Sequence, residues 1–384
     1  MERFDFIVIG GGMMGAPCAR YLAEAGHSVA LVAAPEPAPG GAGPFASHHD
    51  AARIARALAS DPDWARLGAR SMARYADIEA RSGERIFRRS GGVLAGLRAG
   101  PLAGFTKRFL AVASGMDPAP AVAEGDAGGW TLPEGSVAAC EPGGGWIDPR
   151  AMARAQVRLA EAAGAQVFPQ AAIARAGRDV TLADGTRLSA GHVIVASGPH
   201  AASDGFLPRR PAMTVWARTV AFVEVDETEA ERLADLSTLI WVPGETWTHD
   251  LYALPPVRYP DGRWRLKVGG QGASGPRIED AADMAAWFHG PGDPEVGAAL
   301  LAELRRALPG LREAATSTGP CAVVWTETGF PYVDAAGPGV TVLAGGNGAA
   351  AKCGDELGRL GMLRATGAEL AGEGYRATFE ARWA

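Results

Sequence analysis

Near the amino end, Phe4-Asp5-Phe6-Ile7-Val8-Ile9 is an almost unbroken apolar run rich in β-branched side chains. Such a run fits a strand covered on both faces of a parallel sheet. Glycines end it, and Gly10-Gly11-Gly12-Met13-Met14-Gly15 satisfies G-x-G-x-x-G. Ala16 to Ala25 reads as a helix that tolerates Pro17 in its first turn; Gly26 closes it and Ser28-Val29-Ala30-Leu31-Val32 restarts a strand. Strand, turn, helix and strand within about 30 residues is the setting in which this glycine pattern binds a dinucleotide. Gly10 then allows the tight turn, Gly12 the close approach of a pyrophosphate, and Gly15 the contact of helix with strand. The acidic residue expected to hold the adenosine ribose is replaced by Ala33, with Glu36 as the nearest substitute.

Further along, Trp146-Ile147-Asp148-Pro149-Arg150 opens a helix running to Gly164, and His192-Val193-Ile194-Val195-Ala196-Ser197-Gly198 reads as a strand ending in a turn. Thr214–Val223 and Trp264–Val268 are alternating stretches suited to a mostly antiparallel sheet. In the second of these, alternation turns Lys267 to the face opposite Leu266 and Val268. The Ala-rich stretches Ala151–Ala163, Glu279–Phe288 and Pro294–Leu308 read as amphipathic helices, and the tryptophans at 216, 241, 247 and 264 as core more than site.

Composition narrows the class. The chain has 384 residues, 37 Lys+Arg against 43 Asp+Glu, and a net charge of −6, which excludes a basic nucleic-acid binder on bulk charge. At 47% hydrophobic and 21% charged it is a folded protein, long enough for two lobes. Four cysteines without a CxxC pair argue against a disulfide framework or a metal site. No signal peptide or spanning segment is visible at the start, so a reduced, cytoplasmic protein is expected, without membrane or nucleic-acid partners.

Ser47-His48-His49-Asp50-Ala51-Ala52-Arg53-Ile54-Ala55-Arg56 resembles a signature of the monomeric sarcosine oxidase-like branch of the D-amino-acid oxidase superfamily. Leu251-Tyr252-Ala253-Leu254-Pro255 leading to Leu266-Lys267-Val268-Gly269, then Cys321 with Thr326, and Gly345-Gly346-Asn347-Gly348-Ala349-Ala350-Ala351-Lys352 follow in the family's order. The resemblance spans nearly the whole chain and changes the expected dinucleotide to FAD. It implies an α/β (α+β) two-domain fold: a Rossmann-type FAD-binding domain from 1–85, 146–210 and 320–384, and a mostly antiparallel-sheet substrate domain from 86–145 and 211–319.

By resemblance, Lys267 supplies positive charge where oxygen is reduced, Arg53 lies near the isoalloxazine, and Tyr252 faces the substrate. Arg56 with Lys352 holds a substrate carboxylate, and Gln271 stands where the family has a histidine. The cofactor contacts implied are Gly10, Gly11, Gly12, Met14, Gly15, Ala33, Ser47, His48, Arg53, Val167, Ser197, Gly198, Cys321, Gly346, Asn347, Gly348 and Lys352, with a thioether from Cys321 to the flavin. Arg53 and Arg56, three apart, share a face if their segment is helical. Ala349 and Ala351 replace the family's usual histidine and aromatic, so sarcosine itself is not the expected substrate. The implied activity is amine oxidation of a secondary, N-methylated or cyclic amino acid, with O2 as acceptor, in a monomer or homo-oligomer. The alternatives are a dehydrogenase of the same fold passing electrons elsewhere, or a flavin-binding subunit without turnover.

Overall fold

The computed structural model describes residues 2–38, 40–243, 250–270 and 275–384. The first apolar run forms Glu2–Ile9, the turn leads into the helix Gly15–Glu24, and the second strand is Val29–Val32. These strands and Arg187–Val195, Gln166–Phe168 and Val340–Ala344 make a parallel core within an eight-stranded sheet. Alternation divides the side chains as period 2 demands: Ile7, Ile9, Val193 and Val195 enter one apolar cluster, while Phe6, Val8, Leu31 and Ile194 enter another with Cys18, Leu22, Leu357 and Leu360. The helices Gly15–Glu24 and Gly354–Ala365 meet on that second face. A buried Arg20–Asp355 ion pair of 2.8 Å joins them, and deleting one such partner costs roughly 3 to 5 kcal/mol.

The second sheet has nine strands and is antiparallel except where Thr238–Trp241 runs parallel to Gly92–Leu97. Its longest pair is Met213–Val225 with Ala315–Thr326, in unbroken register from Met213 against Thr326 to Glu224 against Ala315. That second strand continues through residue 320, the expected domain division. Trp241 is buried in this sheet's core, Trp264 packs against it, and Trp247 lies outside the described residues.

The long Ala-rich stretches are helices, Pro149–Ala162, Ala281–Phe288 and Pro294–Ala307. A small three-stranded sheet, Arg53–Ala55, Gly145–Ile147 and Phe87–Arg89, brings the histidine-arginine segment beside the start of the helix Pro149–Ala162. That segment is therefore strand, not helix. Arg53 opens the strand and Arg56 lies one residue past its end, so the two do not share a helical face.

Candidate active site

The glycine turn is built for a phosphate. Gly10 has φ of +113°, and a side chain there would come within 2.3 Å of the Ala196 carbonyl oxygen; at Gly15 it would come within 1.9 Å of the Gly10 carbonyl. Both positions therefore exclude any larger residue. A side chain at Gly11 would strike Ala33, 2.5 Å away, whereas Gly12 is open except for the His48 ring 3.4 Å away. The His48 Nδ1 is buried with no hydrogen-bond partner among the described residues, and burial together with His49 lowers the His48 pKa to about 3. An unpartnered ring nitrogen beside a bare glycine at a helix start fits a dinucleotide phosphate.

Around this turn, Met14 precedes the helix and its methyl is 3.9 Å from where a Gly346 side chain would begin. Ser197 and Gly198 open a short 3-10 turn against Gly10, and Val167 pairs with Leu31 at the strand edge beside Ala33. The Ser47 carbonyl accepts from Arg53 at 3.2 Å. Glu36 does not stand free for a ribose, since both its oxygens accept from Arg150, at 2.5 and 2.7 Å. Asn347 has φ of +47°, and its side-chain oxygen accepts from the Thr326 backbone N–H at 3.0 Å while its amide donates to the Gly345 carbonyl at 2.8 Å. Its side chain is thereby committed to the loop, leaving backbone for a cofactor. Gly348 faces Val323 of the strand Ala315–Thr326, 3.4 Å from where its side chain would begin.

Two charged clusters flank these loops. Lys267 is 1% exposed and turns away from the Leu266–Val268 face, as alternation requires. Its Nζ donates to Asp50 Oδ2 at 2.6 Å and to the Ala52 carbonyl at 2.6 Å, and Arg53 donates to the same Asp50 oxygen. Burial pushes the Asp50 carboxyl up, but Arg53 and Lys267 outweigh it and hold the pKa at about 2. The Tyr252 phenol and the Cys321 thiol lie close enough to Arg53 to perturb it, and burial raises the Tyr252 pKa. Tyr252 reaches this position across Gly269, where any side chain would begin 2.4 Å from its hydroxyl. The buried Tyr259 hydroxyl, in the same cluster, has no hydrogen-bond partner among the described residues.

The second cluster holds Arg56 and Lys352. The Glu141 carboxylate accepts from the backbone N–H groups of Ala57 and Leu58 at 2.9 and 2.7 Å, and so fixes the chain just past Arg56. Tyr75 donates to the Lys352 carbonyl at 2.6 Å and fixes the other side. Arg56 Nη1 donates to the Leu58 carbonyl, while its buried Nε has no hydrogen-bond partner among the described residues. Lys352 is 4% exposed; burial, then the Arg56 charge, lowers its pKa to about 7.

The structure thus gathers Lys267, Arg53, Tyr252 and Cys321 at one place and Arg56 with Lys352 at another; Gln271 lies outside the described residues. Sequence reasoning missed Asp50, Glu141 and Tyr259. One compositional signal was available: the chain has only three lysines, Lys107, Lys267 and Lys352, among 37 Lys+Arg, and two of them are buried here. Lysine loses its proton far more readily than arginine when buried, so its sparing use at buried positions points to chemistry.

A parallel-core sheet and a glycine turn with the His48 nitrogen over it fit a dinucleotide-binding protein. The chain belongs to the DAO family of FAD-dependent oxidoreductases, which matches residues 5–361. No curated protein matches the sequence. Among solved structures, it is similar to an open-form point mutant of NikD, an unusual amino acid oxidase essential for nikkomycin biosynthesis (TM-score 0.74, 22% identity, 100% of this chain and 98% of that one). It is also similar to glycine oxidase from Geobacillus kaustophilus (TM-score 0.71, 19% identity, 100% and 99% covered). A third is L-proline dehydrogenase from P. horikoshii (TM-score 0.73, 16% identity, 98% and 95% covered). At these identities the likeness is one of fold. No helix among the described residues is long and apolar enough to cross a membrane, and Cys18, Cys140, Cys321 and Cys353 are all free.

Proposed function

We propose that the protein oxidises the carbon–nitrogen bond of a small carboxylated amine, a secondary, N-methylated or cyclic amino acid, with oxygen as the electron acceptor. The observation that carries this reading is the pairing of the buried Lys352 with the half-buried Arg56, whose Nε has no hydrogen-bond partner among the described residues. Two cations set together at one spot are stabilised by an anion, and a guanidinium offers a carboxylate two parallel donors. FAD, when bound, takes up the hydride from the carbon beside the nitrogen. The residues of this chain do the rest: Arg56 and Lys352 hold the carboxylate, burial excludes water from them, and Tyr252 bounds the space across Gly269. Lys267 presents its charge for oxygen reduction, and the released imine hydrolyses in water.

Cys321, a half-buried thiol among Arg53, Lys267 and Tyr252, is the residue we propose to carry the flavin as a thioether. The domain division proposed from the sequence assigns the nucleotide to 1–85, 146–210 and 320–384, and the substrate to 86–145 and 211–319.

The test is anaerobic titration of the flavin with N-methyl and cyclic amino acids, followed by an oxygen electrode. Bleaching by such a compound and oxygen uptake with turnover are expected. Bleaching by 2-hydroxy acids alone would overturn the amine reading, and turnover with dyes but not with oxygen would make the protein a dehydrogenase.

A further inference from the structure

Lys267 is not a lone cation. Its strand, Trp264–Gly270, lies between Met213–Val225 and Leu251–Arg258, pairing Lys267 with Phe222 on one side and Leu254 on the other. The opposite face of this strand packs Leu266 and Val268 against Leu300 and Leu304 of the helix Pro294–Ala307, an apolar contact. The charged and titratable groups on the Lys267 side are Asp50 and Arg53 from the loop and short strand, Tyr252 and Tyr259 from Leu251–Arg258 and its following turn, and Cys321 from the strand Ala315–Thr326. Asp50 is the only carboxylate within ion-pair distance of Lys267 among the described residues. One of its oxygens accepts from both Lys267 and Arg53, so it separates two buried cations that would otherwise face each other.

We propose that Asp50 is the positioning residue of this cluster: it seats the Lys267 ammonium against the Ala52 carbonyl and lets Lys267 and Arg53 remain charged together, so the site presents one net positive charge. The inference rests on the reading of Lys267 as the oxygen-side residue. Three ammonium protons are available, two are spent on Asp50 and Ala52, and the third is left to point at whatever lies beyond. Without Asp50, Lys267 faces Arg53 in a buried site, and the amine is the partner that can release its proton.

With only three lysines in the chain, [15N]lysine-labelled holoenzyme gives three side-chain signals, and Lys267→Met identifies one of them. In Asp50→Asn, the pH midpoint at which Lys267 deprotonates is expected to fall by roughly 1 to 3 pH units, and Asp50→Glu to restore it. Reoxidation by oxygen in Asp50→Asn should then become pH-dependent, recovering toward the wild-type rate as pH falls. A midpoint that moves by less than about half a unit overturns the inference, because an opposite charge at this range shifts a lysine by more. If Lys267→Met reoxidises as fast as wild type, the oxygen-side reading fails, whatever the midpoint does; if it is slow and the Asp50→Asn midpoint stays put, that reading stands and the role of Asp50 is lost.

Discussion

The two buried lysines occupy opposite electrostatic situations. Both are nearly free of solvent, and burial lowers the pKa of each. At Lys267 a carboxylate sits 2.6 Å away and works against that penalty; at Lys352 the nearest charge with a large effect is the Arg56 cation, which adds to it and brings the pKa to about 7. The same degree of burial thus meets an opposing partner at Lys267 and a reinforcing one at Lys352, which is left poised near neutrality. The partner, not the burial, distinguishes the two.

The largest effect expected from breaking this contrast is at Lys267. Lys267→Met should slow reoxidation by oxygen on the order of 100-fold while slowing anaerobic flavin reduction far less, the scale on which a preorganised charge contributes to a developing anion. Stopped-flow measurement of both half-reactions checks it, and equal slowing would refute the assignment. Next comes Lys352→Met, read through the affinity of an amine-free carboxylate such as propanoate, followed by the flavin spectrum. Loss of one charge-assisted partner should weaken binding by about 10- to 100-fold at pH 6.

The wild-type pH profile sharpens the point further. Lys352 is protonated below about pH 7 and neutral above it, so propanoate affinity should decline as pH rises through 7, by up to about tenfold per unit. Lys352→Met should lose that slope, whereas Lys267→Met should keep it. The smallest effect on the comparison is expected from Cys321→Ala, which removes no charge from either cluster. It should release yellow flavin into the supernatant on acid precipitation, where wild type keeps it in the pellet; release by the wild type would rule out the thioether.

The glycine turn was legible from the sequence because its spacing is local and Gly15 packs on the Gly10 carbonyl within one strand–helix unit, although the contact that restricts Gly10 comes from Ala196 of a distant strand end. The direction of Lys267 was legible too, since period 2 alone turns it from Leu266 and Val268. The segment from Arg53 to Arg56 was not. Arg53–Ala55 becomes strand because Gly145–Ile147 offers a hydrogen-bonding edge about 90 residues away in the chain, and Arg56 follows just past its end. That pairing splits the two arginines between the two clusters. The glycine-rich loop around Asn347 was legible, but the use of its side chain to hold Thr326 was not.

By itself, then, the sequence determined the glycine turn and the alternating sheet, because periodicity and glycine sterics act over a few residues, while the FAD-dependent class followed from the family resemblance. Only the tertiary structure decided the charge environment of the buried lysines. Asp50 meets Lys267 across 217 positions of chain, and Arg56 meets Lys352 across the meeting of two loops. Electrostatic fate in a buried site depends on distances between segments that no local pattern encodes.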